Sequence, residues 1–258
     1  MRIFLFAFFA LLNTLAFAQG VQYEYQTAKE DGTAGRTVMF VNSNFVKIDG
    51  LENLNGATVL FNKEKNAVYL IDHKAKTYIE LVKSEVENMN EQLAAFKVML
   101  DDQAANFPPD QLDLVREMMK ENGYAVAAPK VSYKKEGSSK VGEWKCTQYN
   151  GTAYNKTMVE LHATKLETLE LKESDLEILT AFSPYLAVLI DASLTSKGFA
   201  AVFCPIPLVE GLPVKSIDFL GGKAIITTTL SKVERKELDN SIFALPQGYT
   251  KTYFELGY

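Results

Sequence analysis

Ala57-Thr58-Val59-Leu60-Phe61, Ala67-Val68-Tyr69-Leu70-Ile71-Asp72 and Thr77-Tyr78-Ile79-Glu80-Leu81 are three β-branched and aromatic runs. Only Asn62-Lys63-Glu64-Lys65-Asn66 and His73-Lys74-Ala75-Lys76 separate them. Runs of strand length joined by such short polar connections form an antiparallel meander. The middle run is apolar on both parities, so something must cover both faces of the sheet there. Upstream, Val21-Gln22-Tyr23-Glu24-Tyr25 alternates with period two, and Phe45-Val46-Lys47-Ile48-Asp49 follows the turn-forming Asn42-Ser43-Asn44.

Downstream of the meander, at Ser84, the period changes to that of a helix. Ser84 and Glu87 read as a capping box, and Val86, Met89, Leu93, Phe96 and Leu100 fall on one stripe. Pro108 and Pro109 end that helix and start another, with Leu112, Val115, Met118 and Met119 apolar and Asn122-Gly123 as its C-terminal cap. Strands resume at Lys130 to Lys135, Lys145 to Tyr149 and Lys156 to Ala163. A second helical insert opens with the box Ser174/Glu177, buries Leu176, Leu179 and Phe182, and kinks or restarts at Pro184. Tyr185 to Leu194 is apolar nearly all round apart from Asp191, which reads either as a functional carboxylate or, by default, as a helix-end residue that reaches solvent or caps a neighbour. Strands around Leu212 to Phe219 and Ala224 to Val233 precede a turn at Pro246-Gln247-Gly248-Tyr249. The fold class expected is α+β, a curved antiparallel half-barrel sheet with helices packed on its concave face. A single domain over 19–258 carries helical inserts near 84–122 and 174–196.

Residues 1–18 read as a secretory signal peptide: Arg2, an uncharged Phe-, Leu- and Ala-rich run from Ile3 to Leu12, and small residues at Ala16 and Ala18 flanking Phe17. Cleavage between Ala18 and Gln19 releases a chain without a lipidation cysteine, expected to be periplasmic or secreted and to lack a transmembrane anchor. No later stretch reaches the ~18 uninterrupted apolar residues of a spanning helix. The 258 residues carry 27 Lys and Arg against 32 Asp and Glu, interleaved, which leaves no nucleic-acid footprint. Cys146 and Cys204 allow one bridge in an oxidising compartment, and equally read as two small buried apolar residues.

The chemistry available is sparse. His73 and His162 are the only histidines, so a multi-histidine metal site is excluded and any Ser-His-Asp arrangement must use one of them. No nucleophile elbow, P-loop, zincin or dinucleotide fingerprint occurs, so no catalytic residue, metal site or cofactor is assigned. What remains is a space between sheet and helices. Val59, Phe61, Leu70, Leu93, Phe96 and Phe182 are its expected apolar lining, and a lipid or other apolar small molecule is the expected ligand, with an unknown protein as partner. The alternatives are a structural or protein-interaction domain with a filled core, and a hydrolase using His73 or His162.

Val68 to Tyr78, with its apolar strand, Asp72, Lys-rich turn and Thr77-Tyr78, resembles the signature of a family of exported bacterial proteins of unknown function. Gly142-Glu143-Trp144-Lys145-Cys146-Thr147-Gln148-Tyr149 and Phe243-Ala244-Leu245-Pro246-Gln247-Gly248-Tyr249 extend that resemblance over most of the chain. The order of elements also resembles the periplasmic lipoprotein-carrier (Lol-type) half-barrel superfamily and the mycobacterial lipoprotein folds. That resemblance implies acyl chains bound in the concave face of an open sheet. The carriers' arginine gate has no counterpart here, because Arg36, Arg116 and Arg235 stand in unrelated contexts.

Overall fold

The computed structural model describes residues 17–51, 57–89, 91, 111, 131–153, 155–191 and 209–253. Twelve strands form one sheet: β1 (Phe17–Lys29), β2 (Ala34–Val41), β3 (Phe45–Leu51), β4 (Ala57–Asn62), β5 (Ala67–Asp72), β6 (Thr77–Val82), β7 (Ser132–Val141), β8 (Trp144–Ala153), β9 (Lys156–Thr164), β10 (Leu212–Leu220), β11 (Lys223–Asp239) and β12 (Thr250–Thr252). Residues 83–89 form helix α1 and Glu173–Asp191 form helix α2.

The strand order is β12-β6-β5-β4-β3-β2-β1-β11-β10-β9-β8-β7. Strand β1 is the seam, pairing with β2 on one side and β11 on the other, so it joins the meander β2–β6 to the group β7–β11. Every pairing is antiparallel except β12 with β6. The sheet is open and curved. Val21, Met39, Ile48, Val59, Leu70, Leu81, Val214 and Leu230, from eight different strands, belong to one buried cluster with Ile178, Leu179, Phe182 and Leu186 of α2. A flat sheet with strands ~4.8 Å apart would spread them beyond one helix ~10 Å wide; curling brings them together. Val86 and Met89 of α1 join the same cluster, so both helices lie on the concave side.

The meander is registered as its sequence demands. Phe61 faces Val68 and Val59 faces Leu70, all four inside the concave cluster. The intervening Leu60, Ala67, Tyr69 and Ile71 form a second cluster with Leu238 and Phe243, with Phe45, Tyr78, Leu245 and Tyr249 packed around it. The dual-parity run of β5 is therefore covered on both faces, by helix on one and by the C-terminal segment on the other. A 3₁₀ turn at Asn240–Phe243 starts that segment, Phe243 stacks on Phe45 at 5.1 Å, and β12 clips onto β6 with Lys251 reaching Glu80 at 2.6 Å.

Several local expectations are corrected. Helix α1 already includes residue 83, so Ser84 is not its cap; Glu85 Oε2 accepts instead from the Val82 N–H at 2.9 Å. Likewise α2 starts at Glu173, and Asp175 Oδ2 accepts from the Lys172 N–H at 2.7 Å, the role assigned to Glu177. Helix α2 runs through Pro184 without restarting. Strand β2 fills a stretch given no element of its own, and Cys146 is a buried free thiol whose Sγ donates to the Trp144 carbonyl at 3.5 Å. Cys204, Leu93, Phe96 and the helical insert beyond residue 91, residue 111 apart, lie outside the described residues. In the full-length chain Phe17 and Ala18, the last two residues of the expected leader, pair with Asp239 and Leu238 as the first rungs of β1, which is no correction of the leader reading.

Candidate functional site

The four described members of the expected lining meet in one place. Phe61 sits 5.4 Å from Phe182 and 5.2 Å from Tyr185, ring centre to ring centre, with Val59 and Leu70 in the same cluster. Tyr185 also donates its hydroxyl to the Asn66 carbonyl at 2.9 Å, fixing α2 against the β4–β5 turn. All four are buried, Leu70 the least so at 8 % exposed, so side chains fill this stretch of the concave face.

The open space lies further along the same helix. A cavity of about 420 Å³ is lined by Leu166, Glu173, Leu176, Glu177, Thr180, Val209, Glu210 and Gly211. Buried Leu166 and Leu176 belong to its floor, while Glu173, Glu177, Thr180 and Glu210 are exposed at its margin. Three separate stretches build it: the 3₁₀ turn Leu166–Leu169, the first turns of α2, and 209–211 leading into β10. Gly211 makes that entry feasible. Its φ is +91°, and a Cβ there would stand 2.1 Å from the Thr164 carbonyl oxygen. Glu210 is held by its N–H donating to the Tyr149 hydroxyl at 3.3 Å and by Lys135 at 3.8 Å.

A guanidinium anchors this end of α2. Arg235 Nη1 on β11 donates to Asp175 Oδ1 at 3.2 Å, and Nη2 reaches both Asp175 Oδ2 and the Glu170 carbonyl. Burial alone would raise the Asp175 carboxyl, but the Arg235 hydrogen bonds, the Lys172 N–H and the Arg235 charge outweigh it and hold the group below the ordinary value. Beneath the pair, the fully buried Tyr23 hydroxyl has no hydrogen-bond partner among the described residues. Burial, and then the Asp175 charge, raise its pKa against the opposing effect of Arg235.

Neither histidine lies in the cavity. His73 Nε2 is 2.9 Å from Thr58 Oγ1 and its Nδ1 is 3.1 Å from the Tyr249 hydroxyl. Thr58 donates its proton to Asp49 Oδ1, which leaves its hydroxyl accepting from the imidazole. The proton that a base would have to take is thus already committed to a carboxylate. His162 reaches over β8 so that Nδ1 meets Ser139 Oγ at 2.7 Å, while Nε2 lies 2.8 Å from Glu160 Oε1 in a charge contact not aligned as a hydrogen bond. Burial lowers the His162 pKa, with Lys215 adding to burial and Glu160 opposing it.

That depression has a sign. The folded state takes up the His162 proton less readily than the unfolded chain, whose histidine titrates near ~6.5. The contribution is present above that value and lost as pH falls below it, because the unfolded state then binds more protons. Urea midpoints measured at pH 5 and at pH 7.5 should differ more for the wild type than for His162→Gln. Equal pH dependence in the two proteins would refute the assignment.

No family model matches the chain, and no curated protein does. Solved structures do. An uncharacterized conserved protein from Thermus thermophilus aligns over 92% of this chain and 91% of its own at 8% identity, with a TM-score of 0.47. MucB, in its Pseudomonas aeruginosa complex with MucA, aligns over 88% of this chain and 55% of its own at 8% identity and TM-score 0.40. A LolA superfamily protein from Nitrosomonas europaea aligns over 88% and 90% at 10% identity and TM-score 0.27. The likeness is one of outline. The fold assignment rests on the strand order itself, and the exported-family signature finds no matching family model.

The sequence places Leu176 on the buried side of α2. It assigns no role at the site to Leu166, Glu173, Val209, Glu210 or Gly211. No periodicity connects those three stretches; the one local signal is Gly211 directly before a strand. Among the described residues no group of three metal-ligating side chains forms, and no helix is long and apolar enough to cross a membrane.

Proposed function

We propose that this chain is an exported, non-enzymatic half-barrel protein that binds an amphiphile on the helix-covered side of its sheet. The 420 Å³ cavity carries this reading: Leu166, Leu176 and Val209 offer an apolar surface, and Glu173, Glu177 and Glu210 stand beside it. Each acyl methylene buried there would contribute about 0.8 kcal/mol. The three carboxylates favour a ligand whose head group is positive, and disfavour a free fatty acid.

Two fluorescent probes of equal chain length, an alkylammonium and a fatty acid, test it when titrated into the purified protein. Uptake of the ammonium probe in preference to the acid is expected, together with an amphiphile recovered by lipid extraction of protein isolated after export. A ligand-free protein that takes up neither probe would overturn the reading. The side-chain-filled contact of Phe61, Phe182 and Tyr185 supports the second reading, a protein-interaction domain with a closed core. The hydrolase reading has the Ser139–His162 contact in its favour, but none of Ser139, Glu160 and His162 lines the cavity.

A further inference from the structure

The leader and the seam strand meet at Gln19. Processing after Ala18 would make Gln19 the first residue of the exported chain. In the fold that residue already lies within β1, opposite Glu237 of β11, with its side chain exposed. Its neighbour Gly20 is buried and has no spare room, since a Cβ there would stand 2.3 Å from Leu238 Cδ1 and 2.5 Å from the Val41 carbonyl oxygen. The chain is therefore held from Gly20 onward, and Gln19 is the terminal residue whose side chain projects into solvent.

An amino-terminal glutamine has its nucleophile and electrophile in one residue. The free α-amine can attack its own side-chain carbonyl carbon, Cδ, closing a five-membered lactam. The N–Cδ bond forms, the bond from Cδ to Nε2 breaks, and an amine proton leaves with the departing nitrogen as ammonia. No oxidant, reductant or second substrate is consumed. The product carries neither the terminal positive charge nor an open amine.

We propose that the exported chain is blocked at its N-terminus as pyroglutamate formed from Gln19. The position of β1 gives the block its purpose. Val21, Tyr23 and Tyr25 are buried and hold β2 to β11 through the paired registers of β1. An aminopeptidase entering at an open Gln19 reaches Val21 after two residues and then dismantles the strand that joins the two halves of the sheet. A lactam at Gln19 denies that enzyme the free amine it needs.

The inference rests on the export reading and not on the ligand reading. Its test is the intact mass of the full-length precursor after expression and export in a bacterium, quenched in acid at harvest, with fragmentation of the N-terminal peptide to place any change. The expected mass is that of residues 19–258 less one ammonia, localised to Gln19, on a chain that resists stepwise N-terminal sequencing until pyroglutamyl aminopeptidase is added. The Gln19→Ala variant should show no ammonia loss and sequence directly from Ala. A chain of residues 19–258 with an open Gln19 amine, or an ammonia loss that grows only on storage, overturns the block while leaving export standing. A chain that begins at any other residue overturns the block, and one that keeps residues 1–18 overturns the export reading with it.

Discussion

Phe61→Ala should lower the unfolding free energy by about 3–5 kcal/mol, as expected for an aromatic truncated within a packed core. Phe61 is 1% exposed and sits where β4 meets α2, in contact with Phe182 and Tyr185 and paired across the sheet with Val46 and Val68. Removing the ring leaves a void that neither a rigid strand nor a helix pinned by the Tyr185–Asn66 hydrogen bond can collapse around. Urea titration should show a lower midpoint with an unchanged slope. A loss below about 1 kcal/mol would mean that α2 does not seat on β4 in solution.

Gly211→Ala carries the second large expectation. The residue combines a left-handed φ of +91° with a Cβ position 2.1 Å from a backbone oxygen, and backbone cannot rotate aside as a side chain can. Strain and clash together should cost about 3 kcal/mol. Gly32→Ala supplies the comparison, because Gly32 has a φ of +84° and nothing within 4 Å of its added Cβ. It should cost only about 1 kcal/mol, the conformational part alone. Thermal melts of the two variants isolate the clash by difference. Equal destabilisation would show that the approach to Thr164 relaxes without penalty.

The legible parts of this fold are those written in one continuous stretch. The β4–β6 runs announce their pairing because each connection is too short for anything but a hairpin, and the dual-parity β5 announces two covering layers without locating either. Helix α2 is legible from Leu176, Leu179 and Phe182, although it starts one residue early and Asp175, not Glu177, reaches back to its entry. Strand β2 is harder. Thr37, Met39 and Val41 alternate toward the core, but Gly35 and Arg36 at its start carry little strand preference. Strand β12 is three polar residues whose extended form comes from docking on β6, a contact made across more than 170 positions of sequence. The cavity is illegible for the same reason, being assembled by tertiary packing from three segments with no shared period. Of the expected lining, Val59, Phe61, Leu70 and Phe182 do converge, in a stretch filled by their own side chains.

The seam strand also sets a timetable. Its partner β11 lies more than 200 residues downstream, as the contacts Thr27–Thr228 and Ser231–Glu24 show. Contacts so distant along the chain must await nearly complete synthesis and are slow to form, because loop closure precedes any reward from pairing. On the export reading, the polypeptide passes most of its length through a secretion channel before its first strand, already able to pair with β2, can meet β11. On that reading the two halves of the sheet stay unjoined until β11 emerges and closes the seam.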